Sequence, residues 1–181
     1  MTPTVYAVGG RPFSGKTSLA SRLARRLGIQ HTDIDWGPAH CVLPAVENPY
    51  STDEKAAFER ARMIVAYWTL HASVTAHVHV GRSVVISATY TRAEPRSALL
   101  KAIGHANLKF FWCRIDDTPE EIERRLKSRL ENDWIGGCRS VEQYQKLRPQ
   151  YSDPGFSHHV INTMHGEEVA LRDALQYLGM K

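Results

Sequence analysis

Over residues 10–17 the chain reads GRPFSGKT, a G-x-x-x-x-G-K-[ST] spacing set by Gly10, Gly15, Lys16 and Thr17. No other stretch constrains the fold as much, because the pattern works in one local context only: a strand must enter it and a helix must leave it. Both are legible. Residues 4–8 form a short run of β-branched, aromatic and small apolar side chains closed by Gly9 and Gly10, the pattern of a buried strand. From Gly15 the period becomes helical. Leu19, Leu23 and Leu27 share a face with Ala20 and Ala24, Arg22, Arg25 and Arg26 lie off it, and Gly28 supplies a C-terminal stop.

Each part of the loop has a physical task. Backbone N–H groups can wrap a polyphosphate only where side chains are few, and a helix that begins at Gly15 directs its positive end at the anion. Lys16 then neutralises the β- and γ-phosphates, and the Thr17 hydroxyl ligates Mg²⁺. Gly10, Arg11, Pro12, Phe13, Ser14, Gly15, Lys16, Thr17 and Ser18 are therefore read as the segment that binds a nucleoside triphosphate, ATP with Mg²⁺. Arg11 and Pro12 are read as loop filler, Pro12 stiffening the turn, and the loop is expected to be exposed. The alternative, a chance Gly-Lys turn, has the strand–helix context against it.

The rest of the chain alternates strand and helix. A weak strand spans residues 29–34, and a loop with Gly37, Pro38, Pro44 and Pro49 covers residues 36–50. A long helix capped by Ser51 or Thr52 carries the stripe Phe58, Ala61, Val65, Trp68 and Ala72 and stops at Gly81. Strands follow at residues 84–86, 108–115 and 160–161, with helices at residues 93–103, 118–130, 140–149 and around Leu171, Ala174, Leu175 and Leu178. The helix at Thr118-Pro119-Glu120-Glu121 opens with a cap, a first-turn proline and acidic residues at the positive end of the dipole. Alternation of this kind implies a parallel sheet covered on both faces. With no repeat and no boundary, a single domain over residues 1–181 is expected.

Charge and cysteine usage narrow the partners. Lys and Arg number 23 against 19 Asp and Glu, a net charge of +4, which suits an anionic ligand and is too small to argue for nucleic acid. Cys41, Cys113 and Cys138 are odd in number, far apart and without a C-x-x-C pair, which points to a reducing, cytoplasmic setting. The N-terminal apolar run is too short for a signal peptide, and no stretch approaches the ~18 apolar residues of a membrane span, so no membrane partner is expected. The nine histidines show no ligand spacing, so no metal beyond Mg²⁺ is expected. The sequence leaves the oligomeric state open.

Residues around the loop extend the chemistry. Asp33 and Asp35 alternate in HTDIDW, which on an extended chain puts both carboxylates on one side, at the strand edge that meets the ligand. Asp35 would take the proton of an attacking hydroxyl, and Asp33 would hold a water of Mg²⁺. The alternative is a strand-end turn capped by Asp33. Arg125 and Arg129 share a helix face ahead of a glycine-bearing loop, residues 131–139, and read as a mobile lid whose arginines cover the transferring phosphoryl group. The alternative is a solvated face paired with Glu121 and Glu123. Arg92 and Arg96 follow the third strand and either orient a substrate or lie on a wet face. Residues 36–80 are expected to build the substrate pocket, with Asp35, Trp36 and Arg92 as substrate contacts and His40, Glu47 and Tyr50 as further lining.

With these motifs in place the chain resembles the small P-loop kinases of the AAA_33 or zeta-toxin-like type, relatives of chloramphenicol phosphotransferase, gluconate kinase, shikimate kinase and the kinase domain of polynucleotide kinase. GRPFSGKTSLASRLARRLGI is similar to their opening strand, loop and helix. HTDIDW is similar to their acidic second strand, FFWCRIDDTPEEIERRLKSR to their fourth strand and lid helix, and HHVINT to their last strand. The resemblance implies a three-layer α/β sandwich, a five-stranded parallel sheet in order 2-3-1-4-5, a small lid, ATP, Mg²⁺ and transfer to a hydroxyl. It places the base at Asp35, with Asp33 alongside, and the lid arginines at Arg125 and Arg129. VVISATYTRAEPRSALLKAI is similar to the third strand and its following helix, but Ser87 stands where many relatives carry an aspartate. Asp33 then takes over that role, or turnover is weak. Three readings follow: a small-molecule kinase, a nucleotide or nucleoside kinase gripping a second phosphate with Arg92 and Arg96, and a nucleotide-binding regulator favoured by Ser87.

Overall fold

The computed structural model describes residues 2–36, 52–130, 138 and 140–180. Five strands, β1 (Thr4–Gly10), β2 (Gln30–Asp33), β3 (Val84–Ser87), β4 (Asn107–Arg114) and β5 (His159–Asn162), form one sheet in the order β2-β3-β1-β4-β5. Every pairing is parallel, with Val8 opposite Ser87 and Asp33 opposite Ser87 at the edge that carries the loop. The helices are α1 (Lys16–Leu27), α2 (Thr52–His79), α3 (Ala93–Ala102), α4 (Pro119–Leu130), α5 (Val141–Leu147) and α6 (Glu167–Tyr177), with short 3₁₀ turns at Ile34–Trp36 and Arg148–Gln150.

The strands alternate between two core layers. Val5, Ala7, Ile86, Phe110 and Trp112 pack with Leu70, Val74 and Val78 of α2 and Leu99 of α3. Val8, Val85, Phe111 and Ile161 pack with Leu19 and Leu23 of α1 and Ala174 and Leu175 of α6. Burial on both faces explains why β3 is apolar at every position but its last. Local signals set the helix ends: Gly28 is left-handed at the end of α1, Thr118 Oγ1 accepts from Glu121 N at 3.3 Å, and Ser140 Oγ accepts from Gln143 N at 3.0 Å.

One expectation fails. Val65 and Trp68 of the expected α2 stripe are 43% and 72% exposed, while Ala66, Leu70, Val74 and Val78 face the core. Apolar residues surround much of α2, so helical spacing occurs on more than one face. Polar anchors accompany the buried row: Tyr67 OH accepts from Tyr90 N at 3.1 Å, and His71 Nε2 lies 3.2 Å from Tyr90 OH. These contacts lie across the fold, out of reach of a periodicity argument. Among the described residues no helix is long and apolar enough to cross a membrane.

Candidate functional site

Gly15 sits at the N-cap of α1 with φ 74, and no side chain caps the first turn. A Cβ at Gly15 would meet only ordinary contacts, the nearest Thr163 at 3.6 Å, so the left-handed backbone is what demands glycine there. At Gly10 the demand is space as well, since a Cβ would come within 2.7 Å of the Cys113 carbonyl. The uncapped helix start, with Lys16 beside it, fits a polyphosphate.

The loop is not exposed, which corrects the expectation from sequence. Gly10, Phe13, Ser14 and Lys16 are buried, Lys16 at 6% exposure. Three neighbours clamp the backbone: Gly10 N donates to Thr89 O at 3.1 Å, Thr163 Oγ1 to Ser14 O at 2.9 Å, and Arg125 Nη1 to Phe13 O at 2.9 Å. Nor is Arg11 filler. Its guanidinium pairs with Asp117, which also pairs with Arg148 Nε at 3.0 Å.

The acidic pair is arranged differently from an extended alternation. β2 ends at Asp33, and Asp35 lies in the 3₁₀ turn. Asp33 Oδ1 accepts from Asp35 N at 2.8 Å, an Asx-type turn that competes with the strand. Asp33 Oδ2 accepts from Thr17 Oγ1 at 2.9 Å and from Ser87 Oγ. So Asp33, 1% exposed, caps the turn and reaches the loop hydroxyl at once. Asp35 is half-buried, within electrostatic reach of the Tyr67 hydroxyl, whose pKa is raised chiefly by burial. Trp36 closes the turn; its side chain and residues 37–51, including His40, Glu47 and Tyr50, lie outside the described residues.

Ser87 is fully buried and joins Asp33 to His31, whose Nε2 lies 2.7 Å from Ser87 Oγ. Burial pushes the His31 pKa down against the pull of Asp33. A hydroxyl thus stands where the resemblance led to an acid, and it steadies the acid on the neighbouring strand.

The arginines divide. Arg125 Nε donates to Glu121 Oε1 at 2.5 Å, and its Nη2 to Thr163 O at 3.2 Å, in addition to its bond to Phe13. Hydrogen bonds from Arg124 first, then Arg125, hold the Glu121 carboxyl down at about 2. The pairing with Glu121 and the approach to the loop are both present. Arg129 follows one turn later on α4; its side chain and residues 131–137 and 139 lie outside the described residues. Arg96, 9% exposed, binds Tyr90 O at 3.3 Å, Ser152 O at 3.0 Å and Ser152 Oγ at 3.1 Å, so it is a staple. Arg92 is exposed at the start of α3, near Tyr67 and Tyr151. Sequence reasoning assigned no role to His31, Asp117 or Thr163; their partners are remote in the chain.

The family model for AAA_33, an AAA domain, matches residues 5–140. The chain belongs to the AAA_33 family. No curated protein sequence matches it. The fold of this AAA_33 protein is similar to that of a gluconokinase from Sinorhizobium meliloti 1021, with a TM-score of 0.66 and 18% identity over 98% of this chain and 93% of that one. It is also similar to the APS kinase CysC of Mycobacterium tuberculosis in complex with AMPPNP and APS, with a TM-score of 0.61 and 18% identity over 98% and 96% of the two chains. Chaetomium thermophilum Kti12 in complex with ADP-AlF3 gives a TM-score of 0.60 and 15% identity over 97% of each chain. The parallel five-stranded sheet of the small P-loop kinases is the fold observed.

Proposed function

We propose that this AAA_33 protein catalyses ATP- and Mg²⁺-dependent phosphoryl transfer to a hydroxyl of a small molecule. One observation carries the reading: the Thr17 hydroxyl donates at 2.9 Å to the buried carboxylate of Asp33, at the mouth of a helix start that also bears Lys16. Oxygen donors of this kind suit Mg²⁺, with Thr17 as a direct ligand and Asp33 accepting from the ion's waters. The bound ion would neutralise charge on the transferring group. Lys16 stabilises the same charge from the loop. Asp35, nearer solvent than Asp33, orients the acceptor hydroxyl and takes its proton. Arg125 and Arg129 bring positive charge from α4, and residues 36–80, with Trp36 and Arg92, receive the acceptor. We read the setting as cytoplasmic.

Arg96 is committed to internal bonds with Tyr90 and Ser152, which weighs against a nucleotide kinase that grips a second phosphate with both Arg92 and Arg96. Ser87 keeps a second reading in view, a nucleotide-dependent regulator with little turnover, since it contributes a hydroxyl and no charge. ADP release is to be measured with and without a panel of sugars, nucleosides, antibiotics and polynucleotide ends. Transfer predicts release that rises with one acceptor and needs Mg²⁺. ATP binding with no acceptor-dependent release would leave the regulator.

A further inference from the structure

We infer that Phe13 is a positioning residue that hangs the α4–α5 unit on the phosphate loop, so that ordering of the loop by nucleotide and seating of α4–α5 become one event. The second half of this rests on the function proposed above.

Phe13 has φ 67. A bulky side chain occupies this left-handed region only where its surroundings over-determine it, and glycine would serve the backbone without strain. What phenylalanine adds is its ring. That ring is 1% exposed and belongs to a cluster separate from both sheet layers, with Ile122 of α4, Cys138 and Tyr144 of α5, and with Leu126, Val141 and Tyr151 against it. The Phe13 and Tyr144 rings lie 5.9 Å apart, tilted. Neither Phe13 nor its neighbours in this cluster come from a strand of the sheet.

Polar contacts run the same way. The Phe13 carbonyl accepts from Arg125 of α4 at 2.9 Å, and Arg11, two residues earlier, pairs with Asp117 just before α4. Asp117 in turn holds Arg148 just after α5. The unit that carries Arg125 and Arg129 is therefore fastened to the loop at three points, of which the Phe13 ring is the apolar one. A change in loop backbone at Phe13 moves the knob that fills the cluster.

Hydrogen exchange on the full chain tests both halves. In the free protein, Phe13→Gly should speed exchange in α4 and α5 by about a hundredfold, the scale expected for emptying a buried aromatic site, and leave α6 unchanged. Exchange in α4 and α5 equal to wild type would overturn the anchor. With Mg·ADP, wild type should gain protection in the loop, α1, α4 and α5. Phe13→Gly should gain it in the loop and α1 alone, and Phe13→Leu should recover part of the α4–α5 response. A full α4–α5 response in Phe13→Gly would overturn the coupling. If Phe13→Gly also exchanges faster in α6, it has unfolded, and Phe13→Leu decides by the same two comparisons. If Mg·ADP protects no segment of the wild type, the functional reading and the coupling fall together, while the free-protein comparison still judges the anchor.

Discussion

Replacing Asp33 by asparagine separates metal use from folding. The carboxylate accepts three hydrogen bonds, from Thr17, Ser87 and the Asp35 amide, and is 1% exposed. Hydrogen bonds to a charged group are each worth about 1.5–3 kcal/mol, so the three together offer roughly 5–9 kcal/mol. Taking a lone carboxylate out of water costs several kcal/mol, so the net contribution of the charge to stability is small. Asparagine can keep its carbonyl on the Asp35 amide and turn its NH₂ toward the two hydroxyls, which rotate to accept. The unfolding midpoint should therefore shift by no more than about 4 °C, the equivalent of ~1 kcal/mol in a chain of this size. Function should respond differently. Losing an outer-shell carboxylate costs about 10–100-fold in metal affinity or activity, so the Mg²⁺ concentration for half-maximal ATP turnover should rise by that factor. Thermal unfolding and a Mg²⁺ titration of turnover give the two numbers. An unchanged Mg²⁺ requirement would show that Asp33 is only a structural cap, and a midpoint lowered by more than about 10 °C would refute the small net contribution of its charge to stability.

Lys16→Ala should lose about 3 kcal/mol or more of transition-state stabilisation, with folding spared because an ammonium at a helix start opposes the dipole; wild-type turnover refutes it. Asp35→Asn should cut transfer to the acceptor by about 10²–10⁴ while nucleotide affinity holds, and normal transfer in this variant with loss in Asp33→Asn would reverse the two roles. Burial lowers the His71 pKa to about 4, so the fold keeps it neutral while the unfolded chain binds a proton below about pH 6.5. Its stabilising share is complete above that pH and falls as pH drops toward 4, by up to roughly 3 kcal/mol. Denaturant unfolding across this range should show the loss in wild type and a flatter profile in His71→Gln; parallel profiles would exclude His71 as the cause.

The sequence by itself determined the strand–loop–helix unit around GRPFSGKT, the alternation that makes a parallel sheet, and the helix ends at Gly28, Thr118 and Ser140. These rest on hydrogen bonds and side-chain periods that span three or four residues, so the residues that decide them are adjacent in the chain. The rotation of α2 was not legible, because its apolar residues satisfy helical spacing on two faces and the partners that distinguish them, such as Thr89 and Tyr90 in the connection after β3, lie elsewhere in the chain. Likewise the bond from Thr17 to Asp33 spans 16 positions, that from Ser87 to Asp33 spans 54, and that from Arg125 to Phe13 spans 112. Strand order and register bring Ser87 opposite Asp33 at the loop edge. Without that, a serine in place of an acid reads as a loss, and with it the same serine is seen to hold the remaining acid against the phosphate loop. Tertiary structure alone also turned Arg96 into a staple and buried Phe13, because both depend on which surfaces the completed sheet brings together.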